Sequence, residues 1–219
     1  DDETWDILES ALITSLQTLS LPYQLNEGDG AFYGPKLEFT LRDSIGRDWQ
    51  CGTLQVDMNL PGRFDLSYVD EQGQRKVPVM LHRALFGSLE RFIGILIEHH
   101  AGKLPAWLSP AQVAVLAISD KSRDYAEAVN KELRSAGFRT ELDCGRQKIG
   151  HKIRHYTLNK APFMVIVGAK EAANAKVNLR LLNGENLGEF TLNDAIVQLN
   201  QKTTPPDQLQ VSHQLSKEK

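Results

Sequence analysis

The chain has 219 residues, of which 41% are hydrophobic and 24% charged, and this ordinary globular composition excludes extensive disorder. No run approaches the roughly 18 consecutive apolar residues of a membrane-spanning helix, and no charged-then-apolar leader opens the sequence. Two cysteines, Cys51 and Cys144, are too few for a disulfide framework and are typical of a reducing compartment. We therefore expect a cytoplasmic protein without a membrane partner.

The net charge of −3 conceals two regions of opposite sign. Residues 1–109 carry 9 Lys+Arg and 16 Asp+Glu, a net charge of −7, whereas residues 110–205 carry 14 and 10, a net charge of +4. Pro105 and Pro110 fall where the charge changes, after a long helical pattern. We predict domains over 1–107 and 110–202, each long enough to bury a core, and a flexible tail over 203–219.

The first region has the alternation of an antiparallel sheet. The sequence opens on Asp1 without methionine, so we expect either a piece of a longer polypeptide or a processed start. The spacing predicts a helix over 5–19, a glycine-bracketed loop over 28–35, a hairpin of strands over 36–43 and 49–57, a third strand over 75–81 and a helix over 83–100.

The second region alternates between strands and helices, which predicts an α/β layer. We expect strands over 113–118, 139–142 and 163–167, a hairpin of strands over 176–182 and 187–190, and helices over 122–136, 147–160 and 192–199, with Gly137 ending the first helix.

The predicted helix after Leu81 carries an apolar stripe for the core and a second stripe of small residues around Arg91. The apolar stripe is Leu85, Leu89, Phe92, Ile93 and Leu96; the small residues are Ala84, Gly87 and Gly94. Because glycine destabilises a helix interior, we expect a close approach there. Arg91 either stacks on a planar ring or grips phosphate, or it pairs with a carboxylate in tight packing.

Two further segments have polar residues that suit a ligand. Cys51, Thr53 and Gln55 share one strand face by the two-residue period, with Gly52 predicting a bulge or a close backbone approach. This face is either a pocket floor or a solvated surface. His82, directly after the third strand, is either a structural residue or a metal ligand, and the chain alone does not supply a complete zinc site.

The predicted helix over 147–160 is basic on one side. Ile149, Ile153 and Tyr156 point inward, and the remaining face carries Lys148, His151, Lys152 and His155, with Arg146 just before the helix. This face either contacts phosphate groups or is an ordinary solvated surface.

Three segments together resemble the bacterial threonyl-tRNA synthetases, class II aminoacyl-tRNA synthetases. They are Gly30-Ala31-Phe32-Tyr33-Gly34-Pro35-Lys36, Gln50-Cys51-Gly52-Thr53-Leu54-Gln55-Val56-Asp57, and Val79-Met80-Leu81-His82-Arg83-Ala84 with Gly87-Ser88-Leu89-Glu90-Arg91-Phe92. The stretch around Gly87–Arg91 resembles class II motif 3, and the similarity to the family continues to about Leu199. The resemblance implies an α+β fold, a partial antiparallel class II catalytic sheet followed by an α/β anticodon-binding domain.

The resemblance also implies roles for individual residues. Arg91 would stack on the adenine of ATP, which is used with Mg²⁺; Lys36, Gln50 and Thr53 would face the adenylate; Tyr33, Gln55 and Cys51 would line the threonine pocket. His82 would be the last of three zinc ligands. Arg146, Glu171 and Arg180 would read the anticodon of tRNA-Thr, and Arg146 departs from the expected asparagine.

The same resemblance implies a homodimeric enzyme whose motifs 1 and 2 and other two zinc ligands lie outside this sequence. We therefore expect a C-terminal portion of a threonine–tRNA ligase that is inactive alone. The alternatives are a non-catalytic tRNA-binding or regulatory paralogue, or one half of a split synthetase. Arg91, Gln50 and Lys36 weigh against the paralogue, since a protein that does not use ATP needs none of them.

Overall fold

A computed structural model describes residues 2–206 of the chain. The chain folds into two compact units that divide between His99 and His100, and we call them unit 1 and unit 2. The predicted tail over 203–219 lies mostly outside the described residues. Its first residue, Thr203, is buried at the end of the last helix, and its side chain bonds to the carbonyl of Leu199.

Unit 1 consists of a three-stranded antiparallel sheet with additional helices and a small hairpin. Its elements are α1 (Asp2–Thr18), β1 (Lys36–Arg42), β2 (Asp48–Asp57), α2 (Leu60–Arg63), β3 (Tyr68–Val69), β4 (Arg75–Lys76), β5 (Met80–Ala84) and α3 (Leu89–His99). The sheet order is β1-β2-β5, and β3 pairs with β4 separately. The predicted hairpin and antiparallel sheet are confirmed.

The predicted third strand and the helix after it are shifted in the structure. The segment 75–81 divides into β4 and β5 around Pro78, which has no amide hydrogen to donate to a strand ladder. The helix begins at Leu89 rather than at residue 83, because β5 continues to Ala84 and Gly87 takes a positive φ of 67°. The prediction that Ala84, Gly87 and Gly94 form a stripe on one helix is therefore wrong.

The close approaches predicted from glycine involve backbone within unit 1. A Cβ on Gly87 would lie 2.6 Å from the carbonyl oxygen of Cys51, and one on Gly52 would lie 2.9 Å from that of Leu85. β2 also has the predicted bulge: Phe39 pairs with Gly52 and Thr40 with Gln50, which leaves Cys51 unpaired. These glycines let the chain pack closely on the central strand.

Unit 1 has little buried apolar surface of its own. Among its described residues, Cys51 and Val56 are the buried hydrophobic side chains of the sheet, and α3 contains no buried residue. Leu89 and Ile93 of α3 are exposed and Phe92 and Leu96 are half-buried, so residues 2–206 cover the predicted core stripe only in part. Within the described residues, unit 1 therefore buries less apolar surface than its length would allow.

Unit 2 is an α/β layer, as predicted. Its elements are β6 (Val113–Ala117), α4 (Arg123–Ser135), β7 (Thr140–Asp143), α5 (Ile149–Leu158), β8 (Phe163–Val167), α6 (Ala169–Ala173), β9 (Lys176–Leu181), β10 (Asn186–Thr191) and α7 (Leu192–Thr203). The sheet order is β10-β9-β8-β6-β7. β6 runs parallel to β7 and β8, whereas β9 is antiparallel to both neighbours.

The central strands of unit 2 bury side chains on both faces, which is why they read as continuous apolar runs. One face packs on α4 and α7 through Val113, Val115, Ala126, Leu133 and Leu199, and the other on α5 through Leu116, Tyr156 and Met164. The inward residues of α5 are those that the period predicts. Burial raises the pKa of Tyr156 to about 12.

In the described part of the chain, no helix combines the length and the apolar character that a membrane crossing requires.

Candidate functional site

One face of the unit 1 sheet carries linked polar side chains, and Glu38 joins two of them. Oε1 of Glu38 lies 2.5 Å from Nζ of Lys36 and accepts a hydrogen bond from Nε2 of Gln50 at 2.9 Å. The hydrogen bond to Glu38 raises the pKa of Lys36. The carboxylate therefore holds an ammonium and an amide side by side on the sheet, a pair that suits an anionic, hydrogen-bonding ligand.

The loop before β1 places Tyr33 over the next part of this face. The hydroxyl of Tyr33 donates a hydrogen bond to Oε1 of Gln55. The loop lies directly on β2, because Val56 donates its amide to the carbonyl of Pro35 at 3.1 Å and a Cβ on Gly34 would lie 1.9 Å from the Val56 carbonyl oxygen. Gly34 thus allows the approach that brings Tyr33 to Gln55.

His82 lies beside Tyr33 and Gln55 at the end of the same face. The strand register pairs His82 with Gln55, and the rings of His82 and Tyr33 have centroids 6.1 Å apart. Nε2 of His82 is 2.9 Å from Oδ2 of Asp57, whose side chain is fully buried. Burial raises the pKa of Asp57, but hydrogen bonds from the Leu60 amide and from His82 outweigh it, so this pKa lies below its ordinary value. Asp57 is therefore the ionised acceptor and Nε2 of His82 the donor.

Arg91 lies on the aromatic ring of Trp49 at the other end of β2. Its guanidinium carbon is 5.2 Å from the ring centroid, and Nη1 donates to the carbonyl of Gln50 at 3.4 Å. The predicted planar stacking partner is thus present within the chain as an indole. A guanidinium has two faces, so one that stacks on an indole retains a second face for another planar ring.

Two further predicted site residues of β2 lie in different surroundings. Thr53 is half-buried and pairs with Glu38 and Ala84 in the sheet register. Cys51 is the unpaired residue of the bulge and is buried. Lys36 and His82 both pair with Gln55 in the sheet register, so they lie beside it and Tyr33, and Glu38 links Lys36 to Gln50 farther along the face. Thr53 lies between Gln50 and Gln55 on β2.

Residues 2–206 contain no group of three or more His, Cys, Asp or Glu side chains arranged for a metal ion. His82 has the surroundings of a single ligand rather than a complete site. Metal-bound histidines usually donate one ring N–H to a carboxylate, as His82 does to Asp57, and bind the metal through the other nitrogen.

In unit 2, Arg146 and Glu171 follow the carboxyl ends of β7 and β8, which lie on either side of β6 and run parallel to it. Arg146 is exposed in the loop between β7 and α5, and Glu171 in α6 accepts the amide of Gly168 through Oε2 at 2.8 Å. Arg180 pairs with Met164 near the other end of β8, so the three predicted anticodon residues do not meet at one point. Met164 packs against α5, which places Arg180 on the face of the sheet that α5 covers. Its Nε is buried without a hydrogen-bond partner.

One residue of the predicted basic surface is not on the surface. Lys148, His151 and His155 are exposed, but the side chain of Lys152 is only 1% exposed. The expectation that Lys152 lies on the basic surface is therefore wrong. The helical period could not show this, because it does not distinguish a buried lysine from a solvated one. Arg154 is exposed beside the others and extends the basic surface.

Two family descriptions match this chain over its two units. The tRNA synthetase class II core domain (G, H, P, S and T) matches residues 2–100, and the anticodon binding domain matches residues 112–202. The threonine–tRNA ligase of Clostridioides difficile (strain 630) is 53% identical over 201 residues, which are 92% of this chain and 32% of that protein. The chain belongs to the threonine–tRNA ligase family.

Other threonine–tRNA ligases are similar to this chain over about the same fraction of its length and of their own. The enzyme of Laribacter hongkongensis (strain HLHK9) is 54% identical over 90% of this chain and 31% of its own length. The RNA binding domain of the threonyl-tRNA synthetase of Cryptosporidium parvum Iowa II superimposes with a TM-score of 0.85 at 41% identity, over 94% of this chain and 52% of that one. The chain thus spans about a third of the length of its curated relatives, and the expected fold class is confirmed.

Sequence reasoning missed four residues that contact the predicted site residues or the loop that carries Arg146: Glu38, Trp49, Asp57 and Lys152. Glu38 is two residues from Lys36 on the same strand, so the two-residue period could have linked them. Trp49 and Asp57 contact residues 42 and 25 positions along the chain, respectively, and no local pattern reports such contacts.

Proposed function

We propose that this chain is part of an enzyme that activates threonine with ATP and Mg²⁺ and transfers it to the 3′ end of tRNA-Thr, acting as a homodimer in the cytoplasm. The observation that carries the proposal is the polar face of unit 1. Five side chains that the family resemblance assigns to the adenylate and to threonine lie together there, among them Lys36, Gln55 and His82.

Adenylate binding would use the end of the face near Trp49. Arg91 would stack its second face on the adenine, while Trp49 supports the first. Lys36 and Gln50 would offer an ammonium and an amide N–H to the phosphate and carbonyl oxygens of the adenylate, with Thr53 beside them. The Glu38 carboxylate keeps these two donors adjacent before the ligand binds, which lowers the ordering cost of binding.

Threonine would bind between Tyr33, Gln55 and His82. Cys51, which the resemblance also assigns to this pocket, is buried in the bulge of β2. His82 fits the role of one zinc ligand, because Asp57 fixes its ring and its tautomer. A bound zinc would hold the amino and hydroxyl groups of threonine together, which valine cannot match because it lacks the hydroxyl. The Tyr33–Gln55 pair would close the pocket around the amino acid.

Unit 2 would bind the anticodon of tRNA-Thr. The net charge of +4 over 110–205 and the exposed Arg146, Lys148 and Arg154 favour contact with an RNA backbone. Arg180 is half-buried, and its guanidinium would donate to base edges, which provide hydrogen-bond acceptors. Glu171 would accept from a base amino group. The spread of the three residues over the sheet suits bases that are splayed apart.

The exposed apolar side chains of unit 1 support the proposal that it is part of a larger catalytic domain. Leu89 and Ile93 are 58% and 48% exposed although they lie one turn apart on the apolar stripe of α3. The remainder of the catalytic domain would cover them. It would also bring the α-phosphate arginine of motif 2, the dimer contacts of motif 1 and the other two zinc ligands, so the isolated 219 residues would be inactive.

Threonine-dependent ATP–pyrophosphate exchange tests the adenylate half of this proposal. We would compare the isolated chain with a chimera in which it replaces the matching portion of the Clostridioides difficile threonine–tRNA ligase. The chimera should catalyse the exchange and the isolated chain should not. A folded, dimeric chimera without exchange would favour the non-catalytic paralogue, and exchange by the isolated chain would refute the missing-motif argument.

A further inference from the structure

Lys152 is a buried cation that the proposed reaction does not use. Its side chain is 1% exposed, and its Nζ lies among three oxygen atoms: the carbonyl of Ala117 at 2.8 Å, the carbonyl of Asp143 at 3.1 Å and Oδ1 of Asp143 at 3.3 Å. An ammonium has three donors, so each donor has an acceptor. A buried ammonium is tolerated only when it is satisfied in this way.

The three acceptors lie where the chain leaves the sheet. Ala117 ends β6 and Asp143 ends β7, its parallel neighbour. Ala117 and Asp143 are the last residues of their strands in the sheet register, and a buried carbonyl at a strand end needs a donor, since unpaired buried backbone groups are costly. Lys152 supplies it from α5 and so joins the carboxyl ends of both strands.

Lys152 also closes the segment that carries Arg146, which we call the 143–148 loop. Its side chain holds Asp143 at the start of the loop, and its amide nitrogen lies 3.3 Å from the carbonyl of Lys148 at the end. Within the loop, Oδ1 of Asp143 accepts the amide of Gly145 at 2.8 Å. A single residue thus bridges both ends of the loop, with Arg146 near its middle.

A second cation holds the adjacent carbonyl from the other side. Nη2 of Arg123, at the start of α4, donates to the carbonyl of Cys144 at 2.9 Å and to Oδ1 of Asp120 at 3.2 Å. Consecutive carbonyls, those of Asp143 and Cys144, are therefore fixed by Lys152 and Arg123 just before Arg146. These two contacts hold the path of the loop, together with the half-buried Cys144 side chain, which packs against the core of unit 2.

We propose that Lys152 is a positioning residue for anticodon recognition, which fixes the 143–148 loop so that Arg146 is presented in one orientation. The inference rests on the proposed function, because Arg146 is the predicted anticodon contact. An arginine on an unfixed loop would still attract phosphate, but it would not favour one base over another. Lys152 would thus act on selectivity more than on overall affinity.

The test uses the 219-residue chain, a tRNA-Thr transcript and the same transcript with a substituted anticodon, at fixed salt and well below the unfolding temperature. Lys152→Met should reduce the affinity ratio between the two transcripts about tenfold, the size of one lost base contact. It should also speed hydrogen exchange at the amides of residues 145–148 relative to those of β8. Lys131→Met, an exposed lysine of α4, is the matched control and should leave both unchanged.

Combination with Arg146→Ala separates positioning from general stabilisation. If Lys152 acts through Arg146, the double variant should lose no more selectivity than Arg146→Ala alone. Additive losses, or a uniform weakening toward both transcripts, would overturn the proposal. If circular dichroism shows that Lys152→Met does not fold, Arg123→Ala replaces it, because Arg123 holds the Cys144 carbonyl. Arg123→Ala should speed exchange at the same amides and reduce the affinity ratio. No effect of this variant would overturn the proposal.

Failure of the proposed function has a different signature. If Arg146→Ala leaves the ratio unchanged, Arg146 does not read the anticodon, and Lys152 has no recognition role. Hydrogen exchange at 145–148 then shows separately whether Lys152 orders the loop. If Arg146→Ala reduces the ratio and Lys152→Met does not, the positioning role alone is overturned.

Discussion

Oδ2 of Asp57 accepts a hydrogen bond from Nε2 of His82 at 2.9 Å. The Asp57 carboxylate is fully buried under the polar face of unit 1. The same carboxylate accepts the amides of Asn59 and Leu60 through Oδ1. Asp57 thus joins the start of α2 to the histidine of the proposed threonine pocket. It holds His82 with its proton on Nε2, which leaves Nδ1 as the nitrogen that would bind zinc.

Asp57→Asn should therefore weaken zinc binding without removing a zinc ligand. The asparagine still accepts the two amides, but its NH₂ group donates toward Nε2 of His82 and moves the ring proton to Nδ1. Loss of such outer partners typically costs about 10–100-fold in metal affinity or activity. Zinc content and the KM for threonine in the chimera measure the effect. An unchanged zinc content and KM would show that the tautomer of His82 is irrelevant.

Arg91→Ala should raise the KM for ATP in pyrophosphate exchange by the chimera and leave the KM for threonine nearly unchanged. The stacked arginine contributes about 1–2 kcal/mol to ring binding when it is desolvated, which corresponds to roughly 5- to 30-fold. Arg91→Lys should recover only part, since an ammonium has no planar face. Arg75→Ala, in the separate β3–β4 hairpin, is the control. Equal effects of Arg91→Ala and Arg75→Ala on ATP would argue against stacking.

Acidification should remove a stabilising contribution from Asp43. Its carboxylate accepts Nε1 of Trp49, Nε of Arg47 and two backbone amides, so it supports the indole on which Arg91 lies. The hydrogen bond from Trp49 is the largest cause that lowers the pKa of Asp43, and with the bonds from Arg47 it outweighs burial. Because the folded pKa is below the unfolded value of 3.8, the contribution is present above that value and lost as the pH falls further.

Thermal unfolding of the chain and of its Asp43→Asn variant measures this contribution. The variant should melt at a lower temperature near pH 6, and the difference should narrow below about pH 4, where Asp43 of the unfolded chain takes up a proton that the folded carboxylate does not yet bind. A difference that is independent of pH would show that the carboxylate charge does not stabilise unit 1.

Binding of tRNA by the chain should weaken as salt rises. Contact of three Lys or Arg side chains with phosphate predicts a slope of about −2 for log affinity against log salt. Lys148→Ala should make the slope shallower and weaken all tRNAs alike. Affinity that does not change with salt would contradict a phosphate contact at the exposed face of α5.

Arg180→Ala should act differently from Lys148→Ala. Loss of a base contact reduces the preference for the threonine anticodon by about tenfold and leaves the salt slope nearly unchanged. The preference is read from the affinities for tRNA-Thr and for the anticodon-substituted transcript. If Arg180→Ala weakens both transcripts equally, the residue contacts the backbone rather than a base.

The sequence predicts the regular elements of this chain better than the contacts between them. The hairpin over β1 and β2 and the inward apolar residues of α5 follow from the hydrophobic period, and the strands β6 and β8 follow from short continuous apolar runs. The start of α3 was missed because the positive φ at Gly87 is set by the carbonyl of Cys51, 36 residues earlier. Long-range packing of this kind leaves no local pattern.

The motifs in the sequence were enough to propose the residues of the candidate site, but not the side chains that contact them. The resemblance identified Lys36, Gln50 and His82 from motifs, and the fold brings them to one sheet face. The burial of Lys152 was not predictable, because its place on the helix period fits a solvated face as well as a buried one. The distinction depends on the carbonyls at the ends of β6 and β7, which only the assembled sheet brings together.

Threonylation of tRNA by the chimera is the decisive measurement for the proposed function, because it requires both units at once. We predict that the chimera charges tRNA-Thr with threonine, and that kcat/KM falls at least about tenfold for a transcript with a substituted anticodon. Charging that is absent in a folded chimera, or that is equally efficient with both transcripts, would contradict the proposed function.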